Sequence, residues 1–287
     1  MTEVGFIRLN LRAMLGRSYP RVVGGLREPS WIFFETVLPL LSIAAYVFIY
    51  KAFMPPNADQ TVVAGVNALI GYVVIGGTMT AFWLNVLWSM ASQLYWEKEV
   101  GNLQLYMMAP MSRMALLGGM AVGGMFMTST RAIVTLVAGV VVFGVALSVG
   151  NPLLILAVFF VTLIALYGMG MMFASLYLLY GREAWNLSAL MEEPIFLLSG
   201  FYFPVGALGR SIAIGASIIP ATLGLDALRQ LMFPASGLGA RFYIFSPEIE
   251  LGILCVSAVA FLILARLCLA YLEERAKKEG RLTTRHQ

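Results

Sequence analysis

A chain of 287 residues with 60% apolar and 12% charged side chains has too few charges to cover a water-soluble globule, which carries about 25%. A mean hydropathy of +0.84 excludes a soluble enzyme or a disordered tail, and the pI near 9.1 does not make the chain a nucleic-acid binder. It reads as an all-α polytopic membrane protein. Cys255 and Cys268 share one apolar run and His286 is the single histidine, so neither a disulfide scaffold nor a metal centre is expected.

The first predicted element is Phe6–Tyr19. At 100° per residue Ile7, Leu11 and Met14 fall within about 60° of one another, flanked by Arg8, Arg12 and Arg17. This predicts a short amphipathic helix lying in the membrane interface and ended by Pro20, so that residues 1–30 form the helix and its lead-in.

A membrane-crossing helix needs about 20 apolar residues. Residues 31–271 hold six candidates: Trp31–Phe53, Val62–Ala91, Met114–Val149, Leu153–Tyr180, Trp185–Phe203 and Leu251–Tyr271. No charge occurs between Asp59 and Glu97, nor between Arg131 and Arg182, and Gly150-Asn151-Pro152 supplies a turn inside the second gap. Alternation at period two is absent, so a barrel is not expected. Six spans put both termini on one side, and that side collects thirteen of the nineteen Lys and Arg residues. An excess of basic residues faces the cytoplasm. Both termini are therefore expected there, with the basic tail of residues 272–287 as a solvated helix end near anionic lipid head groups.

Two connecting stretches have character of their own. The loop of about residues 92–113 carries Glu97, Lys98 and Glu99, then an apolar stripe of Leu103, Tyr106 and Met107, then Pro110. Such a stripe suits either a docking partner or simple interfacial packing. The stretch of about residues 204–247 is too broken by Gly and Pro for a span and too apolar for a free loop. Its segments Ser211–Ile219, closed by Pro220, and Leu223–Met232, carrying Asp226 and Arg229, predict an outer re-entrant helical hairpin between spans five and six.

Charges at membrane depth cost about 2.5–3.5 kcal/mol each on insertion scales, so they face protein or a water-filled path. Arg131, Glu192 and Glu193 are read either as partners that fix helix register or as groups lining such a path. Glu35, near one end of the first span, can snorkel to the interface.

Three ordered motifs resemble those of the type-2 ATP-binding-cassette (ABC) export permeases. They are Glu97-Lys98-Glu99-Val100-Gly101-Asn102-Leu103 with Ala109-Pro110-Met111-Ser112-Arg113, then Pro194…Ser199-Gly200-Phe201-Tyr202-Phe203-Pro204, then Ile219-Pro220…Asp226-Ala227-Leu228-Arg229. The resemblance implies a permease subunit of the cell (inner) membrane. It would pair with a second permease copy or a paralogue and dock two copies of a cytoplasmic ABC ATPase. ATP and Mg would sit on that ATPase, with no cofactor bound by this chain. The resemblance further implies that Glu97, Lys98, Glu99, Gly101, Asn102, Leu103 and Tyr106 form a coupling helix. Glu97 and Glu99 would pair with basic residues of the ATPase, and Leu103 and Tyr106 would bury in its groove. Gly101 would permit close backbone approach, and Asn102, where Thr is usual, would still offer a capping side chain. Phe203, Pro204, Pro220, Asp226 and Arg229 fall in the outer re-entrant element, while Glu192-Glu193 departs from the neutral residues of the family pattern.

A phosphate-cradling P-loop needs Gly-Lys followed by Ser or Thr, and no lysine of this chain follows a glycine. The expected function is therefore export of a lipophilic or amphipathic small molecule, driven by a partner's ATP hydrolysis. A lipid-linked glycan or polysaccharide is the alternative cargo within the family. An ion-coupled secondary transporter using Arg131 and the glutamate pair, or a non-transporting scaffold, are alternatives of another class. No internal repeat supports the former.

Overall fold

The structure is a computed structural model and describes residues 3–180, 183–233 and 243–278. A bilayer core offers no water to backbone amides, so apolar segments must satisfy their hydrogen bonds internally. The apolar stretches accordingly form helices: α1 (Glu3–Arg27), α2 (Pro29–Ala52), α3 (Gln60–Leu84), α4 (Gln93–Val100), α5 (Asn102–Met108), α6 (Arg113–Val141), α7 (Pro152–Tyr180), α8 (Glu183–Ser199), α9 (Arg210–Ala216), α10 (Pro220–Met232) and α11 (Pro247–Lys278). No strand occurs among the described residues.

Each of the six expected spans has a helix, but they are not alike. Among the described residues four stretches are long and apolar enough to cross a membrane: Gln60–Val100, Arg113–Val141, Pro152–Tyr177 and Pro247–Arg275. A fifth is counted if α9 and α10, bent by 116°, act as one broken span. On α2 the apolar helix is the shorter Leu40–Ala52. The helix expected over Trp185–Phe203 stops at Ser199 after 17 residues, because Gly200, at φ +62°, turns the chain. The third span ends at Val141 rather than Val149, and Asn151 then caps α7 through its side-chain oxygen, 3.2 Å from the Leu154 amide, with Pro152 at the first helical position.

Pro20 does not end the first helix, which continues to Arg27. An internal proline removes one backbone hydrogen bond, and packing along α6 offsets the loss. A Cβ on Gly119 would lie 2.6 Å from the Met14 carbonyl oxygen, and one on Gly123 3.2 Å from that of Ser18. Glycines four residues apart on α6 thus let the two backbones touch, as small residues do between membrane helices.

The core gathers around α3, buried on nearly every side from Ile70 to Trp83. By contrast α6 exposes Phe126, Ile133 and Val137, and α11 exposes Val256, Val259 and Ile263. Continuous apolar faces of this kind suit lipid. Between α3 and α4 the helix widens into a π-turn, Asn85–Met90, where the Ala91 amide bonds the Val86 carbonyl, five residues back, at 3.0 Å. Nothing in the residue pattern signals this turn.

Candidate functional site

The loop after the second span is an elbow of two short helices. Gly101, at φ +89°, is left-handed and joins α4 to α5, so its role is the turn itself. Asn102 is the first residue of α5 and does not cap it. Its side-chain amide donates instead to Glu97 Oε2 at 3.0 Å.

Glu97 is buried, with 6% of its surface exposed, and its contacts are within the chain. It forms an ion pair with Arg17 of α1 and accepts a further bond from the Gln93 side chain at 3.3 Å. A carboxylate taken out of water needs such partners. Lys98 is buried as well, and Glu99 is half-buried, its Oε1 lacking a hydrogen-bond partner among the described residues.

The apolar stripe packs toward the chain's own core. Leu103 is 2% exposed and joins the protein's own core, against which Tyr106 and Met107 pack. Burial pushes the Tyr106 phenol up from its ordinary pKa, with Arg17 pulling it down and Glu97 raising it. The outward face of the elbow carries Val100, Leu105 and Met108, the last two 61% and 76% exposed.

The elbow is braced from two further sides. Asn10 of α1 accepts the Ser112 amide at 2.7 Å. Arg113 meets Glu273 of α11 at 2.7 Å, with Glu273 buried, so the start of the expected solvated tail is a structural contact. Asn10, Arg17 and Glu273 were not legible as site residues; their only signal is a polar group on an otherwise lipid-facing helix. His286 and the tail beyond Lys278 lie outside the described residues.

Arg131, on α6, borders a cavity of about 560 Å³ between α1, the π-turn and α6, and donates to the Ala81 carbonyl at 3.1 Å. Glu192 accepts the indole N–H of Trp88 at 2.9 Å, while Glu193 is exposed. Glu35 stands on α2, its side chain outside the described part of the structure.

At the opposite end lies a clamp built on Arg229, 1% exposed. Its Nη1 donates to the Phe203 carbonyl at 3.1 Å, and its Nη2 to the carbonyls of Tyr72 at 3.0 Å and Phe201 at 2.9 Å. The guanidinium also lies over the Tyr72 ring, 5.3 Å from its centroid. Gly76 admits the Phe201 carbonyl against α3, where a Cβ would collide with it. Pro204 is buried at the head of a 3₁₀ turn. Pro220 opens α10, where a missing amide costs nothing. Asp226 accepts the Ile244 amide at 2.8 Å, and Gln230 bridges it to Glu250 of α11 at 3.3 and 3.4 Å.

Several long apolar helices, a braced elbow between two of them and an arginine-held bend define a multi-pass membrane protein. Residues 12–233 match the family described as ABC-2 type transporter. That is well over half of the chain, which therefore belongs to this family and is an ABC transporter permease. No curated protein matches the chain.

Proposed function

We propose that the chain is the permease subunit of an ATP-driven exporter that moves a lipophilic or amphipathic small molecule outward. A separate cytoplasmic ATPase, present in two copies, holds ATP and Mg and supplies the stroke. Two permease copies, or this chain and a paralogue, form the transmembrane unit. In this reading six helices span the inner membrane, α9 and α10 re-enter from the outer side, and both termini are cytoplasmic.

The observation that carries the proposal is the division of the elbow into two faces. Val100, Leu105 and Met108 point outward, and apolar side chains exposed on a short cytoplasmic loop suit a groove in another protein. Beneath them Glu97 locks to Arg17, and Ser112 and Arg113 to α1 and α11. A push on the outer face would therefore move α1, α6 and α11 as one body. Glu99, whose buried oxygen has no hydrogen-bond partner among the described residues, would meet a cation of the ATPase. Coupling thus rests on Val100, Leu105, Met108 and Glu99 for contact, and on Glu97, Asn102 and Leu103 for transmission.

The test is reconstitution of the chain with its ATPase in proteoliposomes. Efflux of an amphipathic fluorescent dye should require ATP. Dye movement driven by an ion gradient and indifferent to ATP would instead establish the secondary transporter.

A further inference from the structure

The second span is not one rigid rod. Its helix widens at Asn85–Met90, and a π-turn holds one residue more than the α-turn it replaces. Everything beyond it is therefore rotated by about 100° from an unbroken helix. Ser92 Oγ donates back to the Trp88 carbonyl at 2.7 Å, the kind of side-chain bond that bends a helix.

Side chains from three other helices hold this turn. Tyr167 of α7, 2% exposed, donates its hydroxyl to Asn85 Oδ1 at 3.0 Å. Glu192 of α8 accepts the Trp88 indole N–H at 2.9 Å, and Arg21 of α1 donates to the Ser89 hydroxyl. Two glycines make room for it. A Cβ on Gly124 of α6 would lie 2.5 Å from Asn85 Oδ1, and one on Gly170 of α7 2.5 Å from Val86 Cγ1. Asn85, Trp88 and Ser89 also border the cavity of about 560 Å³, so on that side no packed core resists movement.

These contacts divide in two. Arg21 belongs to α1, which Arg17 and Asn10 tie to the elbow, whereas Tyr167 and Glu192 belong to helices outside that braced body. Just past the turn, Ala91 and Tyr95 close against Tyr177 of α7, whose hydroxyl shares a hydrogen bond with Ser188 of α8 at 2.7 Å. We propose that the π-turn is the joint on which the braced body swings against α7 and α8. Tyr167 and Glu192 are the positioning residues that set its resting place. The proposal rests on the reading of the elbow as the part a partner pushes, and it adds where that push is received.

The test uses the purified full chain with Cys255→Ser and Cys268→Ser, and reads maleimide labelling of Ala91→Cys, a position with no exposed surface. Labelling should rise about tenfold in Tyr167→Phe and in Glu192→Leu, the scale of one lost hydrogen bond. It should return to the parent rate in Glu192→Gln, which keeps an acceptor for Trp88 and so separates the bond from the charge. Leu272→Cys, buried on α11 within the braced body, should stay unlabelled throughout. Ser188→Cys, buried on the α8 side of the same contact, replaces Ala91→Cys if that variant fails to fold. Unchanged labelling in both Tyr167→Phe and Glu192→Leu, or no rescue by Glu192→Gln, would overturn the joint. Equal labelling of Leu272→Cys would overturn it too, because it marks a general loosening. In proteoliposomes with the ATPase, dye efflux per ATP hydrolysed should fall several-fold in Glu192→Leu and recover in Glu192→Gln. An unchanged ratio would overturn the part of the joint in coupling. The labelling needs no ATPase, so efflux that ignores ATP counts against the exporter alone, and an unmoved labelling pattern counts against the joint alone.

Discussion

The two ends of the molecule hold their bends by different means. At the elbow, side chains hold side chains: Arg17 to Glu97, Asn102 to Glu97, Arg113 to Glu273. At the outer bend, one buried arginine holds the main chain itself, at the carbonyls of Tyr72, Phe201 and Phe203. Long charged side chains can shift against each other and keep their contact, so the elbow can move as a linked unit. A guanidinium fixed on three carbonyls has less freedom, because moving it leaves the buried Phe201 carbonyl without its donor. The difference teaches that the elbow suits transmission, while the outer bend suits a rigid stop.

Breaking the outer end should cost most. Arg229→Met takes the side-chain donor from the Phe201 and Phe203 carbonyls, each worth about 1–3 kcal/mol, and the second donor from that of Tyr72, so folded yield and melting temperature in detergent should fall sharply. Melting unchanged from the parent protein would refute the rigid stop. Gly76→Ala forces the Phe201 carbonyl off α3 and should cost about 2–3 kcal/mol by overpacking, read in the same melt.

The elbow should respond differently. Arg17→Ala with Glu97→Gln, taken through a double-mutant cycle, should give a coupling energy of about 1–2 kcal/mol, with ATP-driven efflux falling further than stability does. Weakest of all, Glu273→Ala should cost about 0.5–1 kcal/mol, because Arg113 is partly in solvent. It should loosen coupling without affecting the outer bend.

Much of the helix layout was legible because charges are so scarce that their gaps mark the spans. Facing was not. Periodicity groups Leu103, Tyr106 and Met107 on one side of a helix, but it cannot say whether that side meets a partner or the chain's own core. The Arg17–Glu97 pair joins residues 80 apart in the chain, and no local pattern reveals such a contact. Pro20 misled because its local cost is set against packing on Gly119 and Gly123, which only the folded chain brings together. Arg229 was recognisable as part of a motif, yet its acceptors are backbone oxygens and leave no mark in the sequence.

The central claim is that the outward face of the elbow, rather than the stripe on its inward face, docks the ATPase. The most direct measurement is co-purification of the ATPase with the double variant Leu105→Asp, Met108→Asp. Both side chains are exposed in the permease, so the account predicts a normal melting temperature for the variant alone and loss of the bound ATPase. ATPase recovered in full with this variant would contradict it.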